Sequence, residues 1–164
     1  MDISQFSLEE LMLTAIKSET QAFKIYHGLA KQVENGVLKG HLNFLAAEEK
    51  KHEGYLTDTY KVLFPEKAIK LPDRTTVPLP EIHIEHEMVN LSEILEQAMK
   101  AELAANEFYR DLSARFDDNQ DIKKMLLKFS EMEMKHYEIL KKEQESVKKT
   151  EDAYIDWDMI HLGP

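Results

Sequence analysis

Four stretches of the chain repeat apolar residues by fours and threes, the spacing of one face of an α-helix. The first runs Leu8, Met12, Ala15, Glu19, Ala22, Tyr26, Leu29, Val33. The second runs Leu38, Leu42, Leu45, Glu49, His52, Leu56, Thr59, Leu63. The third is Leu91, Leu95, Ala98, Glu102, Ala105, Tyr109, Leu112, Phe116. The fourth is Ile122, Leu126, Phe129, Glu133, His136, Leu140, Glu143, Val147. Each seam predicts a long amphipathic helix that buries one stripe. Local chemistry marks the ends. Ser7 with Glu10 three residues on forms a capping box, and Phe6 and Leu11 have the spacing of a hydrophobic staple. Asn35-Gly36 closes the first helix, and the second is expected over Val37 to Leu63. The third starts near Asn90, with Glu93 three residues later, and Asp117-Asp118-Asn119 ends it and can cap the fourth.

A connector of about residues 64–88 separates the second and third helices, where Pro65, Pro72, Pro78 and Pro80 forbid a continuous helix. It is too long for a tight turn between antiparallel neighbours and reads as a crossover from one end of a bundle to the other. The expected fold is all-α: a four-helix bundle made of two helical hairpins joined by a long crossover. The bundle domain covers 1–149, and residues 150–164 form an apolar tail in which no helical or strand period is legible. Tyr154, Ile155, Trp157, Met159, Ile160 and Leu162 make that tail too apolar to float free, so it is expected to fold back or to cover a neighbour.

Apart from Glu143, whose counterpart is Thr59, six ionisable residues stand where the seams call for apolar ones: Glu19, Glu49, His52, Glu102, Glu133 and His136. They recur in two copies. Glu19 and Glu102 are 83 residues apart, as are Tyr26 and Tyr109, while Glu49 and Glu133 are 84 apart, as are His52 and His136. The repeat also discriminates among the glutamates: Glu48 has Met132 as its counterpart, and Glu131 has Ala47. A single Glu-x-x-His in a chain rich in Glu is ordinarily a solvated helix face. Six such residues at matched depth on four seams are not, because buried carboxylates without compensation cost several kcal/mol each. Two divalent cations cancel four carboxylates, and neutral imidazoles complete the coordination. One Glu from each of two helices and Glu-x-x-His from each of the other two is the ligand set of dimetal carboxylate bundles. Oxygen-rich coordination with one His per metal suits two Fe ions, with Mn or Zn as substitutes. Tyr26 and Tyr109 lie two turns from Glu19 and Glu102, within reach of ligands on other helices. His83 and His86 in the connector could form a second metal site, but read more simply as exposed loop histidines.

Composition narrows the classes. There is no cysteine, which excludes disulfides, thiolate metal sites, iron–sulfur clusters and a cysteine nucleophile. With 31 acidic against 21 basic residues the formal charge is −10, so no nucleic-acid partner is expected. The start MDISQFSLEE is unlike a signal peptide and no apolar run would span a membrane, which points to a cytoplasmic protein.

The four motifs resemble the diiron domain of rubrerythrins, within the ferritin-like superfamily, over about residues 7–147. The resemblance implies that Glu49 and Glu133 bridge two iron ions and that Glu19 and Glu102 are terminal, each with one His. It implies an oxidoreductase that reduces hydrogen peroxide or dioxygen with electrons from a separate donor such as a rubredoxin, and a homodimer whose interface the tail helps to seal. Rubrerythrins carry a further glutamate three residues after the third-helix ligand; here that residue is Ala105, and Glu107 faces well away from the seam. Ala105 and Ala22 either leave space beside the metals for a small oxidant or are the small residues of ordinary bundle packing. The competing functions are a ferroxidase or iron-handling protein on the same ligands, and a metal-stabilised helical interaction module. The intact set of six argues against the latter.

Overall fold

The computed structural model describes residues 2–73, 79 and 91–161, with side chains as far as residue 149. Four α-helices carry the fold: α1 (Leu8–Gln32), α2 (Gly36–Leu63), α3 (Leu91–Ser113) and α4 (Gln120–His161). No strand occurs among the described residues. Ser7 caps α1 through a complete capping box with Glu10, and the Asn35 side chain accepts from the Val37 and Leu38 amides at the start of α2. The Asn119 carboxamide oxygen accepts from Ile122 N at 3.2 Å, which opens α4 after a single 3₁₀ turn at Ala114–Phe116.

Each helix runs from one apolar cluster to another, through the ionisable positions between them. One cluster gathers Leu11, Met12, Leu56, Tyr60, Phe108, Leu112 and Leu126; the other gathers Leu29, Leu38, Leu42, Leu45, Leu95 and Leu140. The order in which the chain visits them gives the topology. Helices α1 and α4 run from the first cluster to the second, and α2 and α3 run back. Thus α1–α2 and α3–α4 are antiparallel hairpins, all-α as the seams predict. Because α2 ends at the first cluster and α3 begins at the second, the connector must travel the length of the bundle. Residues 74–78 and 80–90 of it, including His83, His86 and the Asn90 cap, lie outside the described residues. Lys17, nearly buried in α1, donates its ammonium to the Asp73 carbonyl and ties down the near part of the connector.

Two core positions shift by one residue from the seams. Tyr60, rather than Thr59, is fully buried, and Gln144 is more buried than Glu143. Both seams follow a strict seven-residue repeat, whereas a straight helix drifts by about 20° per heptad, so late positions rotate onto the next residue. Tyr60 donates to Glu9 Oε1 at 3.1 Å, and Gln144 Nε2 donates to the Ser92 carbonyl at 3.1 Å. The tail also differs from its sequence reading. Helix α4 continues without a break to His161, so residues 150–161 of the segment without a legible period are helical.

Candidate metal centre

The belt between the two clusters holds all six ionisable seam residues, each at most 4% exposed. They come from four helices, and helix geometry brings them to one level: Glu19 from α1, Glu49 and His52 one turn apart on α2, Glu102 from α3, Glu133 and His136 on α4. Their donor atoms form two groups. Glu19, Glu49, His52 and Glu133 offer one atom each, all within 4.8 Å of one another, and so do Glu49, Glu102, Glu133 and His136. Glu49 and Glu133 belong to both. His52 Nδ1 lies 3.0 Å from Glu133, 3.4 Å from Glu49 and 3.5 Å from Glu19. His136 Nδ1 lies 3.0 Å from Glu49, 3.2 Å from Glu133 and 3.8 Å from Glu102. The glutamates that the repeat sets aside stay out: Glu48, half-buried, pairs with Lys51 outside both groups, and Glu131 and Glu107 are exposed.

These close approaches do not satisfy the atoms that make them. Glu49 Oε1, Glu133 Oε1, His136 Nδ1 and both ring nitrogens of His52 are buried without a hydrogen bond of acceptable geometry. Each such orphan costs about 1–3 kcal/mol if nothing satisfies it. Four of these orphans, Glu49 Oε1, Glu133 Oε1, His52 Nδ1 and His136 Nδ1, sit among the carboxylates of the two groups, and two carboxylates and two imidazoles left unsatisfied there match what a pair of divalent cations requires.

The tyrosines reach across the bundle. The Tyr26 hydroxyl on α1 donates to Glu102 Oε1 on α3, and the Tyr109 hydroxyl on α3 donates to Glu19 Oε1 on α1. Burial and the charges of Glu102 and Glu19 push both phenols well above their usual range, so they remain donors. Each tyrosine thereby fixes one carboxylate oxygen of an outer glutamate and leaves the other to face the centre.

Without a metal the protons are shared unequally. Burial, and then the charge of Glu49, raise Glu19 and Glu102 well above the usual carboxylate range. Burial opposes ionisation of Glu49 and Glu133 too, but it is outweighed at Glu49 by a contact with Glu19 and then by the two histidines, and at Glu133 by the two histidines, so both are held below that range. For His52, burial works against the charged ring, yet Glu133, Glu19 and Glu49 push it up to about 12. His136 is raised in the same way, against burial, by Glu102, Glu133 and Glu49.

A cavity of about 30 Å³ adjoins the cluster on the α1–α3 side, lined by Ala22, Tyr26, Ala101, Ala105 and the carboxylates. That is room for one or two water-sized molecules. The small side chains Ala22 and Ala105 leave it open, as their place in the seams suggests. A feature that the seams did not signal is the partner of His52. Its ring lies against Phe129 at 4.2 Å between centroids, a contact set by the rotation of α4 rather than by any local motif.

A buried cluster of four glutamates and two histidines in a bundle of two helical hairpins defines a ferritin-like protein with a site suited to metal. The rubrerythrin sequence profile matches residues 10–144, and again residues 93–158. The chain belongs to the rubrerythrin family. A solved structure of a hypothetical protein from Pyrococcus furiosus is similar over 90% of this chain and 94% of that one, with 34% sequence identity and a TM-score of 0.79. No curated protein matches at a significant level. No helix among the described residues is long and apolar enough to cross a membrane.

Proposed function

We propose that the cluster holds two iron ions and that the protein reduces hydrogen peroxide with electrons from a separate donor. Glu19 and His52 would hold one ion, Glu102 and His136 the other, and Glu49 and Glu133 both. The observation that carries this reading is that Glu49 and Glu133 are shared by two otherwise distinct groups of four donors beside a cavity of peroxide size. Oxygen-rich donor sets with one imidazole per ion favour iron or manganese over structural zinc. Two iron ions held there supply two electrons together.

The chain's own residues do the rest. Tyr109 and Tyr26 hold Glu19 and Glu102 in position, so the site is preorganised. The apolar clusters on either side exclude bulk water and keep the electrostatic contacts strong. Ala22 and Ala105 admit a molecule no larger than a few atoms. Reduction of peroxide breaks the O–O bond, takes up two electrons and two protons, and releases two waters. The Tyr26 phenol lines the cavity and keeps its one proton in the hydrogen bond to Glu102, so that carboxylate stays fixed beside the reacting oxygen. None of the 164 residues is a cysteine, so none of them can ligate an iron–sulfur donor.

Anaerobic protein loaded with Fe(II) and mixed in stopped flow with peroxide or with dioxygen tests the proposal. Oxidation by peroxide is expected to be at least about tenfold faster, with turnover only when a reductant is added. Faster oxidation by dioxygen, with many equivalents of added Fe(II) consumed, would make the protein a ferroxidase.

A further inference from the structure

The cluster has a second approach, on the face opposite the Ala22–Ala105 cavity. Between α2 and α4 lies a cleft of about 350 Å³, lined by Tyr55, Met125, Lys128, Phe129 and Met132, with His52 at its floor. The two openings share no lining residue. The cleft is far too wide to select a small oxidant. Its walls carry the charges of Glu48, Lys51 and Lys128 and the thioethers of Met125 and Met132, and between them the rings of Tyr55, Phe129 and His52. They are arranged in sequence. Tyr55 is 60% exposed, and its ring centroid is 6.2 Å from that of Phe129, which is only 4% exposed. Phe129 lies 4.2 Å from the His52 ring, tilted by 30°, and the His52 ring is 5.9 Å from His136. An unbroken series of π-systems thus leads from solvent to a histidine of each half of the site.

The internal repeat shows that this is not a by-product of the helix seams. At the 84-residue offset that relates His52 to His136, Phe129 corresponds to Leu45 and Tyr55 to Ile139. Both counterparts are aliphatic, and Leu45 is fully buried in ordinary core packing. A leucine therefore satisfies the same packing position in one half, whereas the other half places a ring between the histidine and the surface.

The geometry points to a division of labour between the two faces: the oxidant arrives by the α1–α3 cavity, and electrons arrive by the α2–α4 cleft through Tyr55 and Phe129 to His52. This rests on the reading of the cluster as a two-iron redox site. A one-electron donor at the cleft is oxidised, and one ferric ion becomes ferrous; a second delivery reduces the other. Phe129 acts as a positioning and coupling residue, not as a ligand. Keeping the donor on the far side of the cluster prevents it from reacting directly with peroxide.

Because the chain has no cysteine, a Tyr55→Cys variant can be labelled at one place with a ruthenium polypyridine photosensitiser. In the diferric protein, a flash in the presence of a sacrificial quencher should reduce the centre, read as loss of its absorption and as the decay of the reduced label. Adding Phe129→Leu, the residue of the other half, should slow this injection at least about tenfold at unchanged iron content and diferric spectrum. Equal rates would overturn the proposal. Should Phe129→Leu lose iron, Phe129→Tyr decides: near-normal injection with the ring retained supports the proposal, and slow injection at full iron content overturns it. The oxidant reading is judged separately, from peroxide and dioxygen kinetics of the unmutated protein. Injection that depends on Phe129 in a protein indifferent to peroxide would remove that reading and leave this one standing.

Discussion

Loading the metal-free protein with Fe(II) should expel about four protons for every two ions bound. In the metal-free cluster the directions of the shifts favour imidazolium at His52 and His136, carboxylate at Glu49 and Glu133, and the neutral acid at Glu19 and Glu102. That state has two positive and two negative charges, so its net charge is zero. The loaded site has four carboxylates, two neutral imidazoles and two divalent ions, and is neutral as well. Exchange of protons for metal thus leaves the buried net charge unchanged, which a site this dry requires. Two imidazolium protons and two carboxyl protons must leave, about two per ion, so apparent affinity per ion should rise roughly a hundredfold per pH unit near neutrality. The sign for folding follows. Histidines with raised values stabilise the metal-free fold most below their unfolded value, near 6.5, and that contribution fades as pH rises toward about 12. Metal-free protein should therefore lose stability between pH 6.5 and 8, while the gain in Tm on adding Fe(II) grows over the same range. Anaerobic titration in weak buffer with an indicator dye counts the protons. Release of two or fewer at full loading would mean that Glu19 and Glu102 are already ionised, and the charge argument would fail.

Replacing Glu133 by Ala removes a donor from both groups and should abolish binding of both ions, whereas His52→Ala should weaken mainly one; iron analysis after anaerobic reconstitution separates the two patterns. Leu95→Ala, fully buried in the second apolar cluster, should cost about 2–5 kcal/mol and lower Tm by several degrees in thermal denaturation, with iron stoichiometry retained. Ala105 supplies no carboxylate, so structures of diferrous and diferric protein should both keep His52 on its ion; an ion that leaves His52 on oxidation would contradict this.

The sequence by itself determined the helical segments, the Ser7 capping box and the six residues of the cluster. Helix periodicity and capping are local: Ser7 and Glu10 meet because they are one turn apart, and Glu49 and His52 share a face for the same reason. The internal repeat separated Glu49 and Glu133 from Glu48 and Glu131, since only positions at equal depth recur. That Glu49 and Glu133 stand in the middle was implied by family resemblance, not by spacing. Tertiary structure placed them there, because only the packing of the hairpins decides which donors lie within reach of both groups. The crossing of the tyrosines likewise depends on the axial register of α1 against α3: the same Glu and Tyr spacing would serve any neighbouring carboxylate. Rotation about the helix axis moved Tyr60 and Gln144 into the core, through a drift that a seven-residue count conceals. The cleft over Phe129 was the least legible feature. It lies between α2 and α4, whose seams look alike, and the space left between two helices is set by side chains on both at once.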